Sequence, residues 1–102
     1  MNKYRHLQQP EDEFDFHDRG ILTGSAVKQE TERFVAQCRK KGLRRIRFIT
    51  GKGRHSKHAP LVGPQVLRTL ETLRKNGSVE KFEHAKIGEG GDGAIDVVLA
   101  TD

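Results

Sequence analysis

The sequence predicts an α/β two-layer sandwich, in which a mixed four-stranded sheet carries two helices on one face. Apolar residues alternate with a period of two in four short segments, and they recur with helical spacing in two longer segments. The resulting order is βαβαββ. Two crossover helices and a short final link predict parallel neighbours among the first three strands and a last strand antiparallel to the third. A chain of 102 residues is expected to form one domain.

The first predicted strand lies at residues 13–17, where polar and apolar residues alternate. This alternation turns Phe14 and Phe16 inward and places Asp15 and His17 on the opposite face. The strand is short, and we expect it to open the domain.

The first predicted helix follows a good N-cap residue, Thr23, and ends at Gly42. Between them, residues with the spacing of one helix face form an inward stripe. These are Val27, Thr31, Phe34, Val35 and Cys38. Because Cys38 belongs to this stripe, we expect a small buried core residue rather than a nucleophile.

The second predicted strand, residues 45–49, alternates in the same way. Ile46 and Phe48 face inward, and Arg45 and Arg47 face outward. Because two helices cover only one face of a sheet, the other face is expected to stay open. It would carry both arginines together with the acidic and histidine side chains of the first strand.

The second predicted helix has Pro64 in its first turn and ends at residues 76–77, an Asn-Gly pair. Its apolar stripe is Val66, Leu67, Leu70 and Leu73. Residues 79–86 and 93–100 are predicted as the third and fourth strands. Residues 88–93 match G-x-G-x-x-G, but a strand follows where a dinucleotide site needs a helix, so we interpret them as a glycine-rich hairpin.

The positive charge of the chain is concentrated in one segment. The whole chain has a net charge of +5 and an isoelectric point near 9.7. Residues 38–58 hold nine basic and no acidic side chains, whereas residues 1–37 and 59–102 are each net −2. Basic residues at the C-terminal end of a helix stabilise it by interacting with its dipole. This does not account for the basic residues in the strand and loop that follow. The block therefore predicts a surface that contacts phosphate groups.

Several classes of protein are disfavoured by the composition. The longest apolar run, residues 97–100, is far shorter than the roughly 20 residues of a membrane span, and the start of the chain lacks the apolar stretch of a secretory signal. A single cysteine excludes an internal disulfide and a four-cysteine zinc site. We expect a cytoplasmic protein with no membrane partner, whose residues 1–11 form a flexible arm and whose residues 12–102 form the domain.

The loop after the second strand has a composition suited to phosphate binding. Gly51 and Gly53 flank Lys52, which lets backbone N–H groups approach a phosphate at the carboxyl end of a strand, where open α/β sheets usually bind ligands. His55 and His58 are a weaker signal for a metal site, because two ligands do not complete the geometry that zinc prefers. We favour phosphate contact by this loop.

Asp15 and His17 are two residues apart on one strand, so they share a face and can address one ligand. In phosphodiester hydrolysis, Asp15 would serve as a base or as a ligand of a divalent metal ion. His17 would serve as general acid or base, because histidine titrates near neutral pH. The structural alternative is that Asp15 caps a loop and His17 is hydrogen-bonded at the strand end.

Together these motifs resemble the Smr (small MutS-related) domain over nearly the whole predicted domain. Residues 14–17 look like the family's first strand, L-D-L-H-G, and residues 50–53 are similar to its H-G-x-G loop. Gly63 with residues 66–68 is similar to a G-x-L-R helix start. Residues 90–95 are similar to the G-G-x-G-A-T segment at the end of the domain.

The resemblance implies the same βαβαββ sandwich and an activity on nucleic acid, which is endonucleolytic nicking in some members and RNA or DNA binding in others. It implies that Asp15 and His17 match the pair used in cleavage and that residues 51–53 match the loop that contacts nucleic acid. Two departures stand out. Thr50 replaces the loop histidine, and residues 18–19 separate His17 from the motif's glycine.

We therefore predict a nucleic-acid-binding domain of the Smr type with endonuclease activity, which nicks DNA or RNA and has Mg²⁺ or Mn²⁺ as candidate cofactor. The predicted catalytic residues are Asp15 and His17. The residues predicted to contact nucleic acid are Arg45, Arg47, Thr50, Gly51, Lys52, Gly53, Arg54, His55, Lys57 and Arg68. The alternatives are a non-catalytic module that binds RNA, DNA or ribosomes and, third, an interaction domain for an acidic protein.

Overall fold

The computed structural model describes residues 9–16, 23–51, 59–85 and 93–101. Over these residues the chain forms a four-stranded sheet and two helices in the predicted βαβαββ order, which confirms the α/β fold class. The elements are β1 (Asp12–Asp15), α1 (Gly24–Lys40), β2 (Arg45–Ile49), α2 (Ala59–Lys75), β3 (Val79–His84) and β4 (Ala94–Leu99). No helix within the described residues is long and apolar enough to cross a membrane.

The strands lie in the order β1-β2-β4-β3 across the sheet. β1 and β2 are parallel, and β4 is antiparallel to both of its neighbours, β2 and β3. The expectation that β3 would be a parallel neighbour of β2 is therefore wrong, because β4 lies between them. β4 buries side chains on both faces and suits the centre of the sheet, whereas β3 carries exposed charged side chains that suit an edge.

The strand bounds agree closely with the alternation in the sequence. β2 has the predicted bounds, and β4 lies within the predicted segment. β1 and β3 end at Asp15 and His84. The last residues of the predicted first and third strands, His17 and Lys86, lie outside the described residues.

The helix-covered face of the sheet forms the hydrophobic core. The ring centroid of Phe14 lies 5.2 Å from that of Phe34 and 6.2 Å from that of Phe48. The predicted inward stripes of both helices are buried, except that Leu67 is partly buried. Cys38 is a free cysteine buried within this core, as predicted.

The sequence signals at both ends of α1 are confirmed. Oγ1 of Thr23 accepts a hydrogen bond from the backbone N–H of Ala26 at 3.1 Å, as an N-cap does. Lys41 is the C-cap, and Gly42 follows with a φ of +79°, a left-handed conformation that favours glycine.

α2 begins earlier than the sequence predicts. It starts at Ala59, so Pro64 lies inside the helix rather than in its first turn. Proline has no N–H, so one carbonyl of the preceding turn lacks its usual helical donor. Val62 and Val66, four residues apart around this proline, are both buried in the core, and their packing stabilises the helix through this point. At the other end, Gly77 has a φ of +91° and follows the helix as predicted.

Glu11 joins the sheet at the start of β2. Its backbone N–H donates to the carbonyl of Arg45 at 2.7 Å. Its Oε1 accepts hydrogen bonds from the backbone N–H groups of Arg44 at 2.7 Å and Arg45 at 3.0 Å. These two bonds lower the pKa of Glu11. The last residue of the predicted arm is thus bonded to the sheet, and residues 1–8 of that arm lie outside the described residues.

Candidate functional site

One end of each of the four strands lies at the same edge of the sheet, where the connecting loops begin or end. β1 and β2 are parallel and end at this edge, β4 begins there, and β3 ends beside the start of β4. Backbone bonds join these ends. The N–H of Phe16 donates to the carbonyl of Ile49 at 2.8 Å, and the N–H groups of Thr50 and Gly51 donate to the carbonyl of Gly93 at 2.8 and 3.1 Å. We call the edge formed by these five residues the loop edge.

Asp15 lies at the loop edge on the sheet face away from the helices. It is the last residue of β1 and pairs in register with Ile49 of β2. Its neighbours Phe14 and Phe16 face the core, with ring centroids 4.8 Å apart. Asp15 is half-buried. Its predicted catalytic partner, His17, lies outside the described residues.

Both helices direct their N-termini towards the loop edge. Gly63, near the start of α2, lies beside β2, since a methyl group added there would be 3.9 Å from Oγ1 of Thr50. Gly24, the first residue of α1, lies beside α2, where an added methyl group would be 3.3 Å from Oε1 of Gln65. Neither helix has an acidic residue in its first turn to offset the partial positive charge of about half a unit at its N-terminus. The loop edge therefore attracts anions.

Thr50, which stands where the family's loop has a histidine, faces the interior. It is only 4% exposed. Its hydroxyl lies 3.4 Å from the carbonyl oxygens of both Gly51 and Gly93. This position favours a role in joining β2 to β4, and contact between the Thr50 hydroxyl and nucleic acid stays a prediction.

Gly51 has a backbone reason to be glycine. Its φ is +78°, in the left-handed region where other residues are strained. The chain turns here as it leaves β2 for the predicted phosphate loop. The rest of the predicted contact loop, Lys52, Gly53, Arg54, His55 and Lys57, lies outside the described residues.

Arg47 is held by carboxylates within the sheet. Its Nε lies 2.6 Å from Oδ1 of Asp96, and its second terminal nitrogen lies 3.4 Å from Oδ2 of the same residue. On the other side, Oε2 of Glu13 lies 3.8 Å from the Arg47 guanidinium. Arg47 is 8% exposed. These ion pairs favour a structural role for Arg47, and its contact with phosphate stays a prediction.

The carboxylates of Glu13 and Asp96 were not predicted as partners of this arginine. Their strands alternate, so both could be assigned to the outer face from the sequence alone. Their meeting depends on register, because Glu13 pairs with Arg47 in the β1–β2 ladder and Asp96 pairs with Arg47 in the β2–β4 ladder. Only the strand order brings the three side chains together.

Arg45 and Arg68 do not share a surface. Arg45 is the first residue of β2, at the opposite end of that strand from Thr50. Arg68 is exposed on α2 and lies about 200° around the helix from the buried Val66. Because the helices cover the sheet face opposite to Arg45, the two arginines lie on opposite sides of the molecule.

No metal centre is found in the part of the chain that the structure describes. Among those residues, no group of three or more His, Cys, Asp or Glu side chains could hold a metal ion. His55 and His58, which the sequence suggests as weak ligand candidates, lie outside the described residues. A role for Mg²⁺ or Mn²⁺ stays a prediction.

The fold and the loop edge define a two-layer α/β domain with an anion-attracting edge where the loops meet. The chain belongs to the Smr domain family, whose model matches residues 15–100. This confirms the resemblance found in the motifs. Smr domains are nucleic-acid-binding domains, and some of them are nicking endonucleases.

Two solved structures and one further protein are similar to this chain. The Smr domain of Thermus thermophilus MutS2 is 32% identical, with a TM-score of 0.65 over 86% of this chain and 96% of that one. YdaL, a stand-alone small MutS-related protein from Escherichia coli, is 27% identical, with a TM-score of 0.72 over 87% of this chain and 64% of that one. An uncharacterized protein from Treponema pallidum (strain Nichols) is 32% identical over 90 residues, which are 88% of this chain and 42% of that protein. This chain therefore spans about two fifths of that relative's length.

Proposed function

We propose that this domain binds DNA or RNA at the loop edge and nicks one strand there, with Asp15 and His17 as its catalytic pair. The observation that carries the proposal is the position of Asp15, which ends β1 at the edge towards which both helix N-termini are directed. A nucleic-acid backbone attracted to the loop edge by the positive helix ends would cross the end of β1, where this carboxylate lies on the open face of the sheet. Membership of a nucleic-acid-binding family supports the class of partner.

The proposed chemistry is hydrolysis of one P–O bond. Asp15 takes the proton of the attacking water, or holds a divalent cation that orients this water. His17 gives a proton to the leaving oxygen, a task suited to a side chain that titrates near neutral pH. The loop cations Lys52, Arg54 and Lys57 hold the flanking phosphates.

The first test is a nicking assay on matched single-stranded, duplex and branched DNA and RNA, with and without Mg²⁺ or Mn²⁺. Asp15→Asn and His17→Ala should each lower the nicking rate by about 10²-fold or more while binding is retained, because a general acid or base contributes about that much. Asp12→Asn is the matched control, because Asp12 lies at the other end of β1, where its Oδ1 accepts the N–H of Glu13, and asparagine keeps that acceptor. Undiminished cleavage by the Asp15→Asn/His17→Ala double variant would overturn the catalytic roles.

The second test concerns binding. Lys52→Ala and Arg54→Ala should weaken affinity for all sequences alike and should each lower the slope of log K against log salt by about 0.9, because each phosphate contact releases counterions. Lys28→Ala, a change of equal charge at an exposed position of α1, is the control. Slopes equal to that of the control would remove the loop from the contact surface.

A non-catalytic binding module is the second candidate function. The observation in its favour is the burial of Thr50, which supplies no exposed acid or base where the family's loop has a histidine. This candidate predicts wild-type affinity with no nicking of any substrate under any metal condition. Nicking by the wild type that Asp15→Asn abolishes would exclude it.

A further inference from the structure

The described cations of the nine-cation segment do not form one surface. β2 crosses the whole sheet within this segment, and a five-residue strand is about 16 Å long at about 3.3 Å per residue. Lys52, Arg54 and Lys57 follow this strand in the sequence and lie outside the described residues. The other basic residues that precede it lie at the opposite end of the sheet, where both helices end.

Backbone and side-chain bonds join the two helix ends at this opposite end. Ala100, just after β4, donates its N–H to the carbonyl of Ser78, which follows α2, at 3.1 Å. The carbonyl of Ala100 accepts a hydrogen bond from Nε of Arg39, in the last turn of α1, at 3.3 Å. The guanidinium of Arg44 donates to the carbonyl of Leu99. The ends of α1 and α2 are therefore held around the same two residues of the chain.

Cations from three parts of the chain meet here. They are the last turn of α1, the turn that leads into β2, and the last turn of α2. We call them the distal basic cluster: Arg39, Lys40, Lys41, Arg44, Arg74 and Lys75. Lys40, Lys41 and Lys75 are exposed.

The helix dipole does not account for the whole cluster. Basic residues in the last turn of a helix stabilise its negative end, which explains one or two cations on each helix. Arg44 lies three residues beyond the C-cap of α1, Lys41, and the dipole effect falls off within the last turn. The six cations of the cluster exceed by two the four described acids at this end of the sheet, Glu11, Asp12, Glu71 and Glu80. Among these, Glu80 pairs with Arg44 at 3.0 Å and Glu71 pairs with Arg74.

We infer that the distal basic cluster is a second contact for the phosphate backbone of the bound nucleic acid, one sheet length away from the loop edge. The inference rests on the proposed function for the class of partner, but it uses none of the residues of the loop edge. A separation of about 16 Å corresponds to about five base pairs at 3.4 Å each. A short duplex held at the loop edge does not reach the cluster, whereas a long one does.

The test compares two DNA hairpins, with stems of about 4 base pairs (about 14 Å) and about 18 base pairs (about 61 Å), by measuring the salt dependence of binding between about 50 and 200 mM. The variant Lys40→Ala/Lys41→Ala/Lys75→Ala removes three exposed cations of the cluster. On the long stem, its slope of log K against log salt should fall by about 0.9 per lost contact, or about 2.7 in all. On the short stem, its slope should equal that of the wild type.

The matched control is Lys28→Ala/Arg33→Ala/Lys81→Ala, which removes the same charge at three exposed positions outside the cluster. Equal slopes for the two triple variants on the long stem would overturn the second contact and leave the proposed function intact. Equal decreases in the slope on the long and the short stem would overturn the separation of the two contacts. Absence of binding of either stem by the wild type, both as DNA and as RNA, would overturn the proposed function itself. Circular dichroism of each variant confirms that the fold is kept.

Discussion

The guanidinium of Arg47 lies against the carboxylate of Asp96, with Nε 2.6 Å from Oδ1, although 49 positions separate the two residues. Glu13 approaches the same guanidinium from the other side at 3.8 Å. These charges connect β1, β2 and β4 on the face without helices. Because the Arg47 side chain is only 10% exposed, carboxylates rather than water neutralise most of its charge.

Replacing Arg47 should therefore affect stability before it affects binding. Arg47→Ala leaves two carboxylates without their cation and should lower the free energy of unfolding by about 1–3 kcal/mol. Urea unfolding measures this change, and a double-mutant cycle with Asp96→Ala isolates the pair. Arg45→Ala, on the same sheet face, should lower the free energy of unfolding by less than Arg47→Ala does. Unchanged stability of Arg47→Ala together with a large loss of nucleic-acid affinity would instead support a direct phosphate contact.

Glu11 should make stability depend on pH. Its pKa in the folded protein is lowered, chiefly by the hydrogen bond from the N–H of Arg45 and then by that from Arg44. The carboxylate form therefore stabilises the fold above the unfolded-state pKa, and this contribution is lost as pH falls through the lower, folded-state pKa. Glu11→Gln should cost about 1 kcal/mol at pH 7, since the exposed carboxylate is screened by water.

The pH dependence of that cost is the decisive measurement for Glu11. Urea unfolding of wild type and Glu11→Gln should converge as the pH falls below 4.5, the ordinary value for this carboxyl. Glu83→Gln, an exposed change on β3, is the control. A cost that stays constant from neutral to acidic pH would contradict the role of the charged form.

Cys38 should be chemically inert in the folded protein. Burial, the main cause, raises the pKa of its thiol to about 11, and the residue has no exposed surface. A thiol reagent at pH 8 should therefore label it only after unfolding in denaturant. Rapid labelling of the native protein, at the rate of the unfolded chain, would contradict its place in the core.

Two glycines should respond in opposite ways to alanine. Gly51→Ala places a side chain on a backbone with φ of +78° and should lower the free energy of unfolding by about 1–2 kcal/mol. Gly63 lies inside α2, and a methyl group added there makes only an ordinary 3.9 Å contact with Thr50. Because alanine is more favourable than glycine within a helix, Gly63→Ala should raise the free energy of unfolding by about 0.5–1 kcal/mol. Thermal melts of the two variants should shift in opposite directions from the wild type. A stabilised Gly51→Ala would contradict the backbone argument.

Local signals in the sequence predicted the helices and strands well. Alternation placed Ile46 and Phe48 in the core, and Thr23 marked the start of α1, because these patterns depend on neighbouring residues alone. The prediction from Pro64 placed the start of α2 too late, because core packing outweighed the preference of proline for the first turn of a helix.

The candidate site was predictable only in part. The face of Asp15 followed from alternation along β1. The inward face of Thr50 also follows from alternation, since it continues the period of two set by Ile46 and Phe48. Its contacts do not, since they depend on Gly93, just before β4, and on Gly63 of α2, which are distant in sequence.

By itself, the sequence determined the order of the elements, the faces that become buried and the single segment in which positive charge is concentrated. Only the tertiary structure decided the strand order and, through it, which charges meet. It paired Arg47 with Asp96, and it placed the basic residues that precede β2 at the end of the sheet opposite to the loop edge. The physical reason is the sequence separation of the residues involved. Periodicity depends on residues close together in the chain, whereas register and charge pairing depend on the packing of strands that are far apart in the chain.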